Sequence, residues 1–139
     1  MSDLAEYSVY VSDTMAIVLW LEKRKLPRKV ANVFRSALSE PDKYTVWVPA
    51  MSLAEVGYLY ERGRIETSPD NVLTFIRSSP DAFKLRLMDA DVILRAFEID
   101  DIPELHDRLI AGTALLLNTP ILTNDPDMDK SEFVTTFWK

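Results

Sequence analysis

Asp13, Glu55, Asp107 and Asp125 lie far apart in the chain, yet each borders or interrupts an apolar segment. Asp13 precedes "TMAIVLWL", Glu55 sits within "SLAEVGYLYERG", and Asp107 and Asp125 bracket "RLIAGTALLLNTPILTN". Two carboxylates about 4 Å apart repel by roughly 4 kcal/mol at an effective dielectric near 20. Four acids gathered in one place must therefore hold protons or bind cations. Oxygen donors, with His106 as the single histidine and no cysteine, suit Mg²⁺ or Mn²⁺. A divalent site built only of acids serves phosphoryl chemistry. The ion lowers the pKa of a water nucleophile and offsets charge on the phosphate, so neither a histidine base nor a covalent nucleophile is needed.

Whether the acids meet depends on the elements that carry them. Residues 7–11, "YSVYV", are rich in β-formers and predict a strand; "DTMAIVLWLEKR" predicts a helix with Asp13 at its mouth. Pro27 suits the first turn of a second helix, "LPRKVANVFRSALSE", with Val30, Val33, Phe34, Ala37 and Leu38 at helical spacing. Residues 44–48, "YTVWV", predict a second strand, followed by the helix "SLAEVGYLYERG" and another over 70–77. "FKLRLM" alternates as a short strand, "DADVILRAFEI" returns to helical spacing, and a helix over 107–117 leads to the strand "PILT" and a final strand in "EFVTTFW". Strands alternating with helices predict an α/β fold with a mainly parallel sheet covered on both faces, in a single domain over residues 1–139.

In such a sheet, sites form beyond the carboxyl ends of the strands. Asp13, Glu55 and Asp125 each follow a predicted strand, and Asp107 opens a crossover helix, so connectivity alone maps all four to one edge. Positions 107, 110, 111 and 114 are Asp, Ile, Ala and Ala and share one helical stripe, which turns Asp107 inward. A plainer explanation exists for each acid. Asp13 and Asp107 suit helix N-caps, "SLAE" (52–55) fits a capping box with Glu55 as its third helical residue, and Asp125 in "NDPD" suits a turn. Four such coincidences at one edge are less expected than one.

Composition removes other classes. Without cysteine, disulfides, thiolate catalysis and thiolate metal sites are excluded. The start "MSDLAEYSVYV" has no basic segment followed by an apolar one, as a signal peptide requires, and the purest apolar run, 15–21, is far shorter than the roughly 20 residues of a membrane span. A soluble, cytoplasmic protein is the expectation. The net charge of −6 argues against a nonspecific nucleic-acid coat, but not against an enzyme that acts on nucleic acid.

The segments "YVSDTMAIVLWL", "PAMSLAEVGYL" and "LHDRLIAGTALLLNTPILTND", in that order, resemble the PIN-domain ribonucleases, most closely VapC-type toxins of prokaryotic toxin–antitoxin pairs. The likeness covers nearly the whole chain; its most specific part is an Asp-led helix, a short turn, an apolar strand and Thr-x-Asp. It implies an α/β/α sandwich and an Mg²⁺- or Mn²⁺-dependent endoribonuclease that leaves a 5′-phosphate and a 3′-hydroxyl. Asp13, Glu55, Asp107 and Asp125 match the four family acids. Thr123 matches the Thr of Thr-x-Asp, a hydroxyl that orients the site, and Thr14 stands where the family often has a small hydroxyl or acid. Glu104 and Asp127 are candidates for outer carboxylates. The resemblance further implies a homodimer, with the helices of 57–80 helping to build it and a groove for an antitoxin protein. Two departures stand out: the leader "MSDLAEYS" extends the start, and Pro126 replaces a commonly charged residue and stiffens its loop.

An RNA substrate requires a phosphate-tracking surface. The run "EKRKLPRK" (Lys23, Arg24, Lys25, Arg28, Lys29) reads first as a solvated face one helix away from the acids, and only second as that track. Arg108, beside Asp107, is a nearer phosphate contact, or else an ion-pair partner of Glu104. Trp20, Trp47, Phe34 and Phe97 sit in apolar patterns and are expected in the core. Tyr58 and Tyr60 adjoin Glu55 and could pack or stack on unpaired bases. His106 could touch substrate, but reads first as a helix-entry residue beside Asp107. Two alternatives remain open: a noncatalytic module whose acids only cap helices, and a metal-dependent DNA nuclease of the flap-endonuclease kind, for whose DNA-holding elements the chain is short.

Overall fold

The computed structural model describes residues 6–139; the first five residues of the leader lie outside it. The strands are β1 (Val9–Ser12), β2 (Thr45–Pro49), β3 (Phe83–Arg86), β4 (Ile121–Leu122) and β5 (Thr136–Phe137). The helices are α1 (Thr14–Leu21), α2 (Arg28–Ser39), α3 (Ala50–Glu61), α4 (Pro69–Ser78), α5 (Ala90–Glu98), α6 (Leu105–Leu117) and α7 (Pro126–Lys130). The strands form one sheet in the order β3-β2-β1-β4-β5, and all four pairings are parallel. Because the chain must return to the same end of the sheet before each new strand begins, helices have to cover both faces, as the alternating pattern predicts. The architecture is the α/β/α sandwich that the resemblance implies.

Two buried clusters flank the sheet. One is built around Tyr10, Ile17, Phe34, Val46, Val48 and Phe83. The other joins Val11 and Ile121 to Ile99, Ile110, Ala111 and Met128. The inward stripe of α6 is as its spacing predicts, with Ile110, Ala111 and Ala114 buried. Helix α6 is pressed hard against α5. A Cβ on Gly112 would lie 2.7 Å from the backbone nitrogen of Ala96, so only glycine permits this approach.

Phe97 corrects the expectation of a core position. It is 60% exposed, because α5 buries the stripe of Val92 and Ala96 and position 97 falls on the opposite side. Trp20 and Phe34 do pack together, ring centroids 5.1 Å apart. Helix α7 departs from the sequence pattern: "NDPD" reads as a turn, but Pro126 starts a short helix that Asp125 caps. Among the described residues no helix is long and apolar enough to cross a membrane.

Candidate active site

The carboxyl edge of the sheet opens into a cleft of about 980 Å³ lined by Asp13, Glu55, Asp107 and Asp125. Each acid arrives on a different segment. β1 delivers Asp13, whose backbone N–H donates to Leu122 O of the neighbouring strand at 3.1 Å. Its carboxylate caps α1 by accepting from Ala16 N at 2.8 Å. The buried Thr123 hydroxyl also bonds this carboxylate, and its oxygen accepts from Asp125 N at 3.1 Å. Thr123 thus ties two of the acids together, which is a physical reason for Thr-x-Asp after a strand. Asp125 caps α7 by accepting from Met128 N at 2.9 Å.

Glu55 lies well inside α3, which begins at Ala50, so the capping-box alternative for "SLAE" does not hold. Ser52 is buried within the helix and its hydroxyl donates to Ser12 O. The Glu55 carboxylate instead accepts from the Thr14 hydroxyl at 2.5 Å, across from the start of α1. Asp107 is likewise no cap. Glu104 caps α6, accepting from His106 N at 3.1 Å and Asp107 N at 2.9 Å, which leaves Asp107 in the first turn facing the cleft. Among the described residues, no donor reaches the Asp107 carboxylate, and no Lys or Arg ion-pairs with any of the four acids.

Proton affinity records the crowding. Burial, with Glu55 and Asp125 adding repulsion against its hydrogen bonds, raises Asp13 from 3.8 to about 6. Burial followed by repulsion from Asp125, Glu104, Glu55 and Asp127 raises Asp107 from 3.8 to about 7. Four acids line one cleft with no Lys or Arg partner among the described residues, an arrangement that favours a bound cation. Oxygen donors in this number match hard divalent ions such as Mg²⁺ and Mn²⁺.

The supporting residues divide. Thr14 and Thr123 hold acids, as described. Asp127 is exposed and acts on Asp107 through its charge. Glu104 is a helix cap whose carboxylate also lies 3.1 Å from His106 Nδ1, which in turn is 3.9 Å from Glu55. Glu55, Glu104 and His106 place one potential ligand atom each within 4.8 Å of one another, and His106 lines the cleft at the entry of α6. Arg108 differs from both expectations. Its Nε donates to Ile102 O at 2.7 Å and its guanidinium lies 5.8 Å from the Phe97 ring centroid, so it neither lines the cleft nor pairs with Glu104. Asn124, which no sequence pattern singles out, faces the cleft from the middle of Thr-x-Asp. Arg24 reaches the cleft from beyond α1, whereas Lys29 packs over Phe137 at 4.3 Å, so the basic run is not one surface.

The fold has solved counterparts. The VapBC2 complex of Rickettsia felis bound to a DNA fragment from its promoter contains a chain that superposes with a TM-score of 0.70 at 18% identity, covering 94% of this chain and 99% of that one. FitAcB of Neisseria gonorrhoeae gives a TM-score of 0.62 at 19% identity, covering 92% and 96%. A toxin–antitoxin complex of Klebsiella pneumoniae gives 0.60 at 16%, covering 91% and 96%. No curated protein matches the sequence. The sequence model of the PIN domain, however, matches residues 10–134, a span that takes in all four acids and runs from β1 past β4; the chain belongs to the PIN-domain family.

Proposed function

We propose that this protein is a metal-dependent endoribonuclease and the toxin of a toxin–antitoxin pair, working in the cytoplasm as a homodimer of single-domain chains. One observation carries the reading. Four carboxylates from separate segments line one cleft with no Lys or Arg partner among the described residues, and two of them hold protons up to near neutrality. The solved counterparts that are toxin–antitoxin assemblies support an antitoxin partner.

Asp13, Glu55, Asp107 and Asp125 would hold Mg²⁺ or Mn²⁺. When bound, such an ion supplies charge to the scissile phosphate and acidifies a water molecule. The chain's own residues do the rest. Thr14 fixes the Glu55 carboxylate and Thr123 fixes Asp13, so both are pre-set rather than ordered on arrival of substrate. Asp107, which no donor reaches among the described residues, would accept a proton from the attacking water, and the leaving 3′-oxygen would take one from solvent as its bond to phosphorus breaks. The products are a 5′-phosphate and a 3′-hydroxyl. Glu104 keeps the first turn of α6 formed, so Asp107 stays aimed at the cleft.

The test is cleavage of total cellular RNA with mapping of the ends, with and without Mn²⁺, beside the Asp13→Asn protein and an equal amount of single-stranded DNA. Metal-stimulated RNA cuts that vanish in Asp13→Asn support the reading. Cleavage of DNA alone would make the protein a DNA nuclease. Absence of cleavage, together with no rise in melting temperature on adding Mn²⁺, would leave a binding module.

A further inference from the structure

Beyond the acids, the cleft continues along α3. Tyr58 follows Glu55 by three residues, so it stands one helical turn farther along the same face, and it lines the same cleft. It is 54% exposed, so its ring is open to a ligand. Four residues on, Arg62 caps α3, and its guanidinium carbon lies 4.4 Å from the Tyr58 ring centroid. No acid ion-pairs with Arg62 among the described residues. Tyr60 lines a neighbouring shallow depression with Gly57 and Pro69, which Tyr58 also borders, but it does not line the acidic cleft. The face of α3 therefore presents acid, aromatic ring and cation in successive turns, spanning roughly 10 Å from Glu55 to Arg62 at the rise of an α-helix.

That order suits one occupant. An unpaired nucleotide offers a flat π-face and a negative phosphate about one base away, and an aromatic ring beside a guanidinium meets both. In a chain of net charge −6, a cation one or two turns from the acids adds local attraction for a polyanion. A duplex keeps its base faces stacked and cannot use the ring. We propose that Tyr58 and Arg62 form a subsite for the unpaired nucleotide flanking the cut bond, the ring taking the base and the guanidinium its phosphate. This rests on the nuclease reading given above.

The experiment measures fluorescence anisotropy of a short labelled single-stranded oligoribonucleotide and of a hairpin stem, in Ca²⁺, against wild type, Tyr58→Ala, Tyr58→Phe, Arg62→Gln and Arg62→Lys. Steady-state cleavage in Mn²⁺ and the oligomeric mass of each variant by light scattering accompany it. Tyr58→Ala should weaken single-strand binding by about 5- to 150-fold, the range for one lost stacking partner, with KM rising by the same factor. Tyr58→Phe should bind as wild type, because stacking needs no hydroxyl. Arg62→Gln should flatten the slope of log affinity against log salt by about 0.7, and Arg62→Lys should retain it. Hairpin binding should change little in the Tyr58 variants. Unchanged single-strand binding by Tyr58→Ala overturns the subsite, as does equal loss in Tyr58→Phe and Tyr58→Ala. A change of oligomeric mass with RNA affinity intact would assign the ring to a protein contact and also overturn it. Wild type that cuts no RNA, yet loses single-strand binding in Tyr58→Ala, would refute the nuclease and leave the subsite standing. Cleavage at wild-type KM by Tyr58→Ala would do the reverse.

Discussion

Replacing Asp107 by asparagine should make the metal-free protein more stable at pH 8, although it removes a residue of the proposed active site. The carboxyl of Asp107 is raised from 3.8 to about 7, first by burial and then by four neighbouring acids. A group whose folded pKa exceeds its unfolded value contributes stability that is fully present below the unfolded pKa and is lost as pH rises through the folded one. For Asp107 the window runs from about pH 4 to about pH 7. At 1.36 kcal/mol per tenfold change, full deprotonation would cost roughly 4 kcal/mol. Asp107 is only partly buried, so solvent screening reduces this to about 1–2 kcal/mol. The amide introduced by Asp107→Asn carries no charge and avoids the cost. The assay is urea unfolding of both proteins from pH 5 to pH 8 in EDTA, then in Mn²⁺. In EDTA, wild type should lose stability as pH rises, and Asp107→Asn should lose less and overtake it. In Mn²⁺ the order should invert, since wild type gains about 2.7 kcal/mol at an ion concentration 100 times Kd and the variant gains little. An Asp107→Asn protein less stable than wild type at pH 8 in EDTA would refute the reasoning, because it would mean that the neighbouring acids do not destabilise this one.

Other outcomes follow from single contacts. Thr123→Val removes the hydroxyl between Asp13 and Asp125; it should cost about 1–3 kcal/mol in urea unfolding and move the acidic limb of the pH–rate profile upward, as Asp13 loses a bond to its charged form. Gly112→Ala drives a Cβ into the Ala96 backbone; overpacking of about 1–3 kcal/mol should exceed the gain in helix propensity of about 1 kcal/mol, which chemical denaturation will read as net destabilisation. Glu22 accepts from Glu66 N, Thr67 N and the Thr67 hydroxyl, fastening the segment between α3 and α4 to the end of α1. Glu22→Ala should open that segment to trypsin at Arg62 and Arg64, at rates measured by limited proteolysis; an unchanged cutting rate would show that the segment is held by other contacts.

The order of elements and the edge at which the acids gather could be read from the chain, because both follow from connectivity. A run such as "YTVWVPAMSLAEV" must leave the sheet where its strand ends, and a parallel sheet sends every such exit to one side. The stripe Ile110, Ala111 and Ala114 likewise follows from helical spacing, which is local geometry. Which residue caps which helix was not decided locally. "SLAE" and the Asp107 turn both fit capping patterns, but α3 begins two residues before Ser52, directly after Pro49, and Glu104 captures the first turn of α6. Several donors and acceptors compete within each short stretch, and packing against the sheet selects among them. The same is true of Arg108, which turns toward the Ile102 carbonyl, and of Phe97, which the α5–α6 contact leaves outside. The sequence alone determined which acids lie at one edge; only the tertiary structure decided how close they come, how much proton affinity their crowding creates, and that Tyr58 lines the same cleft with Arg62 over its ring. Edge placement is a property of chain direction, whereas crowding and burial depend on distances between segments that no local pattern encodes.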